Sequence, residues 1–272
     1  MATADTLTKV SFEKVTPAIG AQVHGVALDQ EPTPDIVERL RQGLHQHGVL
    51  FFEFGRRLEE AEFQHFAPLF GEVEDVYGFS TKEAIEQSEA PCIDAKLQPL
   101  KKYRINEWHS DGTPFERPPQ AAILTPVDSP DVGGGTMWSS MYAAYENLSS
   151  HFQHLLDGLT VLHSTIRTPF IKPTAQTTHP AVIRDPVTGK KALFVNANYS
   201  ERFLDMSQRE SDALLRFLFE HVNTPEFHVG VTWRLGTVAV WEERITQHRG
   251  IDSFVGERRL RRLTFKGDKP AA

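Results

Sequence analysis

From Glu226 to the C-terminus the chain is built of short apolar runs, at 226–233, 237–241 and 258–266, each of which reads as a strand. Similar runs lie near 159–164, 181–184 and 191–196, and the stretch 119–139 reads as a strand pair around Pro130-Asp131-Val132-Gly133-Gly134-Gly135. Residues 9–28 read as short strands with a turn at Gly20, and Val49-Leu50-Phe51-Phe52 as a buried strand. Helical signal is concentrated elsewhere. Thr33-Pro34-Asp35 opens a helix with a Thr cap, a first-position Pro and an early acid, Ile36, Val37, Leu40 and Leu44 line one face, and Gly48 ends it. A second helix is expected at about 59–69 and a third at 141–157, and the capping box Ser207-Gln208-Arg209-Glu210 opens a fourth that runs to about Val222. Helices early and strands late do not alternate as parallel βαβ units require. They predict an α+β, mainly β chain, with helices packed on a β-sandwich or barrel.

Pro and Gly are dispersed, and there is no repeat or low-complexity linker, so residues 1–272 are expected to form one domain. Residues 72–106 are polar and irregular, the character of a lid or binding loop. Gly133-Gly134-Gly135 lacks the spacing of a nucleotide-binding fingerprint and reads as a turn.

Composition narrows the chemistry. A net charge of −7 argues against a nucleic-acid or anionic-membrane partner, which needs a basic surface. Cys92 is the only cysteine, so no internal disulfide and no thiolate metal cluster can form, and any metal is held by nitrogen and oxygen. The N-terminus has no signal-peptide pattern and no apolar run approaches membrane-spanning length, so a cytoplasmic location is expected.

His109-Ser110-Asp111 places an imidazole and a carboxylate two positions apart, on one side of a strand or strand end. With His248 they make two imidazoles and one carboxylate, which can hold one face of an Fe(II) ion and leave the other open. With 12 His in the chain, a chance His-x-Asp is unsurprising, and by itself it is as readily a surface turn; His248 alone is as readily a structural histidine. Arg258, Leu260 and Arg262 share one strand face at period two. Two arginines on a face that also carries Leu suit anion recognition.

The ordered set Trp108-His109-Ser110-Asp111, Gly133-Gly134-Gly135-Thr136-Met137-Trp138, Ala143-Ala144-Tyr145-Glu146, Ala192-Leu193-Phe194-Val195-Asn196 and Thr246-Gln247-His248 resembles the Fe(II)- and 2-oxoglutarate-dependent dioxygenases of the taurine dioxygenase / phenoxyacetate-herbicide dioxygenase family. The resemblance runs from Ile19 to about Pro270 and implies a double-stranded β-helix (jelly roll) core with flanking helices. It implies that His109, Asp111 and His248 are the Fe(II) ligands. Thr136 and Arg258 would bind 2-oxoglutarate, although a count from His248 also permits Arg259. Arg262 would face an anionic group of the substrate. The implied reaction consumes O2 and 2-oxoglutarate, releases succinate and CO2, and hydroxylates the substrate.

On the substrate side, the family's sulfonate-binding His aligns with Glu74, its pocket Tyr with Tyr77, its Asn falls at Ile105 beside Asn106, and its Phe appears as Tyr199. These departures predict that taurine is not preferred. The expected substrate is a small organic anion: a sulfonate, alkyl sulfate, aryloxyalkanoate or amino-acid-like molecule. Assembly into dimers or tetramers is in keeping with such enzymes. The same iron site also permits a desaturation or cyclisation outcome, and a non-enzymatic jelly-roll binding module would bind metal without turnover. A zinc hydrolase is disfavoured, because no acid is evidently placed to activate water.

Overall fold

A run of consecutive apolar residues in a strand, such as Val49-Leu50-Phe51-Phe52, needs cover on both faces. Val49–Glu53 (β3) obtains it inside a seven-stranded sheet, in a computed structural model that describes residues 10–74, 92–95, 101–168 and 174–272. The sheet runs Ser11–Lys14 (β1), Ala21–His24 (β2), β3, Thr237–Glu242 (β14), Ala121–Asp128 (β5), Arg259–Phe265 (β17) and Cys92–Asp94 (β4). Every described pairing in it is antiparallel except β2 with β3. Side chains alternate between its faces. Leu50, Phe52, Ile123, Val238, Val240 and Leu263 point outward and meet Leu40, Leu44, Phe63, Phe66 and Phe70 from the N-terminal helices. Val49, Phe51, Leu124, Ala239, Trp241 and Leu260 point inward and meet Trp138, Val229 and Trp233.

Those inward partners belong to a second antiparallel sheet, His228–Val231 (β13), Thr136–Ser140 (β7) and Thr246–Gly250 (β15), with β7 at its centre. Smaller sheets flank the pair: Val132–Gly133 (β6) with Phe254–Val255 (β16), Val182–Arg184 (β10) with Lys191–Leu193 (β11), and Thr160–Ser164 (β8) between Gln176–Pro180 (β9) and Ser200–Phe203 (β12). A further core lies under the helix Gln208–Val222, where Leu214, Leu215 and Leu218 pack with Leu193, Phe194 and Phe203.

The helix Pro34–His47 ends at Gly48, whose φ of 73° lets its N–H return to the Leu44 carbonyl. Thr33 precedes it but makes no side-chain cap. The expected second helix is Glu60–Phe66 continued by a 3₁₀ turn, Ala67–Phe70. The capping box at Ser207 forms as expected, with Glu210 reaching back to the Ser207 N–H. Two expectations are corrected. Segment 141–157 is two helices, Met141–Glu146 and Ser150–Leu156, because Ser149 caps a new start. The run 119–139 is not a hairpin: β5 lies in the large sheet and β7 in the facing one. The glycines between them carry the chain across, with a positive φ at Gly133 and Gly134. A Cβ on Gly133 would stand 2.1 Å from the Ser253 carbonyl oxygen, so β6 can close on β16 only with glycine there.

Five strands, β4, β9, β12, β15 and β16, escaped the pattern reading. β15 is Thr246-Gln247-His248-Arg249-Gly250, without an aliphatic or aromatic hydrocarbon side chain, yet Thr246, Gln247 and His248 are buried. Among the described residues no helix is long and apolar enough to cross a membrane.

Candidate metal centre

β15 sets the position of His248, and a short main-chain bridge sets His109 opposite it. The His109 N–H donates to the His248 carbonyl at 3.1 Å, and the His248 N–H donates to the His109 carbonyl at 2.8 Å. Ser110 Oγ donates to the Thr246 carbonyl at 2.7 Å, fixing the residue between His109 and Asp111. Asp111 is not on a strand: it opens a turn, and its N–H donates to Glu243 Oε2 at 3.0 Å. Gly112 follows at φ 69°, against Pro119.

One nitrogen from each of His109 and His248 and one oxygen of Asp111 lie within 4.8 Å of one another, all buried. His109 Nε2 is 3.7 Å from Asp111 Oδ1, and His248 Nε2 is 3.6 Å from Asp111 Oδ2. His109 Nδ1 faces the Glu107 carbonyl at 2.6 Å, so Nδ1 carries the proton and Nε2 keeps its lone pair. Burial lowers the pKa of the His109 imidazole; burial and then His109 lower that of His248 further. Both rings are therefore neutral near pH 7, the form that ligates a metal. Burial alone would raise the Asp111 carboxyl. Arg262, then the two imidazoles, outweigh it and hold the group well below the usual carboxylate range. Two imidazole nitrogens and an ionised carboxylate oxygen suit a mononuclear metal with open positions.

Arg262 reaches this cluster from β17, pairing with Asp111 Oδ2 and lying 3.6 Å from Glu243 Oε1, with its guanidinium over the Trp241 ring at 5.9 Å. Two residues earlier on the same face Leu260 enters the inter-sheet core, and two earlier again stands Arg258. Arg258 is 4% exposed. It donates through Nε to the Gly134 carbonyl at 2.7 Å, and its Nη2 lies 3.4 Å from Thr136 Oγ1. Burial lowers its pKa to about 10. Arg259 points the other way, 45% exposed and paired with Asp128. The expected grouping of Arg258, Leu260 and Arg262 on one face is what the contacts show.

The substrate-side residues are less gathered. Tyr199 is buried and packs with Phe115, four residues after Asp111. Asn106 is half-buried in the turn before Trp108. Glu74 is tied by its main chain to Thr264, two positions past Arg262, while its side chain is exposed. Tyr77 lies outside the described residues.

Sequence reasoning passed over several supporting groups. Glu243 is buried beside Asp111, Arg262 and His248, with Oε2 3.6 Å from His248 Nδ1. Burial, then the Asp111 charge, pushes its carboxyl well above the usual range. Thr113 Oγ1 accepts from Asn196 Nδ2 at 3.2 Å and is hydrogen-bonded with His163 Nδ1 at 2.9 Å, tying the turn after Asp111 to β8. Gln247 Nε2 donates to the Val195 carbonyl at 2.6 Å. The available signal was polar residues next to the apolar run of β14, at Glu242-Glu243-Arg244.

A sheet-rich fold that brings two neutral imidazoles and a carboxylate together beside a buried arginine belongs to the mononuclear non-haem metal enzymes. Residues 11–264 match the family described as taurine catabolism dioxygenase TauD, TfdA family. The chain belongs to this family and is a 2-oxoglutarate-dependent non-haem iron dioxygenase. It is similar to the alpha-ketoglutarate-dependent sulfate ester dioxygenase of Pseudomonas putida, 30% identical with 99% of this chain and 94% of that protein covered. It is also similar to an alkylsulfatase of Acinetobacter baylyi, 29% identical with 96% and 86% covered. Among solved structures, a taurine dioxygenase from Burkholderia xenovorans superposes with a TM-score of 0.81 at 32% identity, covering 96% of this chain and 92% of that one.

Proposed function

We propose that this dioxygenase hydroxylates a small organic oxyanion of the alkyl sulfate or sulfonate type, with uptake of O2 and conversion of 2-oxoglutarate to succinate and CO2. The observation that carries this reading is the converging donor set of His109, Asp111 and His248 beside the buried pair Arg258 and Thr136. The two sulfate-ester relatives support the substrate class. We read the seven-stranded sheet and the facing β13-β7-β15 sheet as the halves of a double-stranded β-helix within one domain, in a cytoplasmic protein.

In this reading His109, Asp111 and His248 hold Fe(II), which supplies oxygen activation when bound. The protein's own groups do the positioning. His109 presents Nε2 because Glu107 engages its Nδ1. Arg258 pairs with the distal carboxylate of 2-oxoglutarate, and Thr136 orients the same group. Thr136 stands opposite Gly250 on β15, two positions from the Trp138–His248 pair. Two residues of strand span roughly 7 Å, which suits a five-carbon diacid reaching from metal to guanidinium. The buried walls of Trp138, Trp241 and Leu260 exclude water around that bridge. Arg262, Tyr199, Asn106, Glu74 and Tyr77 are assigned to the substrate side. Hydroxylation at the carbon bearing the ester oxygen or sulfur gives a product that loses its hydroxyl proton and expels sulfate or sulfite, leaving an aldehyde or ketone.

The test is succinate release under Fe(II), 2-oxoglutarate and O2, with alkyl sulfates, sulfonates including taurine, aryloxyalkanoates and amino acids in parallel. Alkyl sulfates or long sulfonates are expected to stimulate release, with taurine a poor substrate. Preferential turnover of amino acids or aryloxyalkanoates would refute the substrate class. Product mass separates gain of one oxygen from desaturation or cyclisation.

A further inference from the structure

Two buried polar groups between the facing sheets meet in a hydrogen bond that decides where a proton points. Trp233 is 1% exposed, and its Nε1–H donates to Thr136 Oγ1 at 3.0 Å. Local structure holds the indole there. Val231, at the end of β13, pairs with Thr136 on β7, so the chain two residues further on lies beside that threonine. Ser129 Oγ donates to the Trp233 carbonyl at 2.7 Å, and the Trp138 and Trp233 rings meet edge to face with centroids 6.5 Å apart.

A threonine hydroxyl has two lone pairs and one proton. At Thr136 the oxygen accepts the Trp233 N–H, and Arg258 Nη2 approaches the same oxygen at 3.4 Å, a longer contact. With N–H groups on its lone pairs, the hydroxyl has its proton left to offer. Among the described residues no carbonyl or carboxylate receives that proton. Arg258 is arranged to the same end. Its Nε is taken by the Gly134 carbonyl at 2.7 Å, and among the described residues no carboxylate forms an ion pair with it. Its remaining N–H groups and the Thr136 O–H form a buried set made of donors only. An ionised carboxylate is the matching ligand, because it carries lone pairs on both oxygens and no proton.

We propose that Trp233 is a positioning residue for the co-substrate: its N–H holds the Thr136 hydroxyl as a donor, so that Thr136 and Arg258 together select a carboxylate at the far end of a 2-oxo acid. This rests on the reading that Arg258 and Thr136 receive the distal carboxylate of 2-oxoglutarate. A hydroxyl released from the indole turns about its C–O bond, and part of its population then aims lone pairs at the carboxylate oxygens, which weakens binding. Trp233 acts through Thr136 alone. Its effect is therefore confined to ligands that carry the distal carboxylate, and it vanishes when the hydroxyl is removed.

The experiment uses the whole protein loaded anaerobically with Fe(II), titrated calorimetrically with 2-oxoglutarate and with 2-oxopentanoate, which has a methyl group in place of the distal carboxylate. Trp233→Phe removes the donor. So does a tryptophan analogue of the same shape at this position, with sulfur in place of the ring N–H, which keeps the packing on Trp138. Each is expected to weaken 2-oxoglutarate roughly three- to tenfold, the range of one net hydrogen bond, and to leave 2-oxopentanoate unchanged. In a Thr136→Val background either replacement should cause no further loss, whereas in Thr136→Ser the loss should persist. A loss shared equally by the two ligands would make Trp233 a packing residue and overturn the proposal. So would wild-type 2-oxoglutarate affinity with the sulfur analogue, or a loss undiminished in Thr136→Val. Failure of the underlying assignment looks different: Arg258→Ala and Thr136→Val would both leave 2-oxoglutarate affinity unchanged, and both readings would fall.

Discussion

His248→Ala should abolish 2-oxoglutarate turnover and lower the iron retained after gel filtration, because the remaining pair of donors no longer encloses one face of the ion. Full turnover by that variant would remove His248 from the site. Arg258 and Arg259 are neighbours with opposite surroundings, one buried against Gly134 and Thr136, the other exposed on Asp128. A charge-assisted hydrogen bond is worth about 1.5–3 kcal/mol, so Arg258→Ala should raise the 2-oxoglutarate KM at least tenfold and Arg259→Ala should not. The reverse order would reassign the role. Glu243 is the third residue to test. Its Oε2 accepts the Asp111 N–H, and its carboxyl is already held well above the usual range by burial and by Asp111. Glu243→Gln keeps an acceptor and should leave stability close to the wild type. Glu243→Ala leaves a buried donor without its partner and should cost about 1–3 kcal/mol in denaturant unfolding. Equal stability of the two variants would show that the hydrogen bond contributes nothing.

Among elements, the turn that carries Asp111 is the most constrained. Gly112 sits at φ 69°, and a Cβ there would stand 2.3 Å from Pro119 Cδ. Gly112→Ala must strain the backbone, at about 1–3 kcal/mol, and must also shift either Pro119 or the turn itself. A lower melting temperature together with weaker iron retention is expected. Unchanged iron affinity would mean that Asp111 is positioned by Glu243 and Ser110 alone. The legibility of elements followed their side chains. The helix at Pro34 and the strand at Val49 were readable because apolar spacing writes their period into the sequence. β15 was not, since its polar residues are buried by hydrogen bonds to Val195, His109 and neighbouring strands, and pattern reading sees only hydrophobicity. The 119–139 segment misled because a glycine turn between two apolar runs looks the same whether the runs pair or separate into facing sheets.

For the whole molecule, buried histidines make stability depend on pH. His163 is 0% exposed, and burial, followed by the neighbouring His179, lowers its pKa from the ordinary 6.5 to about 3. The folded pKa lies below the unfolded one, so the unfolded chain binds the proton first. The contribution of neutral His163 is present above pH 6.5 and is lost as the pH falls from 6.5 toward 3. The slope for one such group is about 1.4 kcal/mol per pH unit. His163→Asn should therefore flatten the dependence of unfolding free energy on pH between these limits, whatever it does to absolute stability through lost packing. An unaltered slope would show that His163 takes up its proton in the folded protein.

The sequence by itself determined the chemistry on offer: nitrogen and oxygen donors but no thiolate cluster, an apolar pattern that requires facing layers, and two arginines at the period of one strand face. It could name His109, Asp111 and His248 only through the ordered motifs that resemble the family, because residue type alone left a surface turn and a structural histidine open. It could not bring them together, because His109 and His248 meet through a main-chain bridge between segments far apart in the chain, and backbone hydrogen bonding leaves no mark on side-chain pattern. Only the tertiary structure separated Arg258 from Arg259 and gave Arg262 its carboxylate partners. Each of these depends on which charge is buried next to which, and burial belongs to the folded whole.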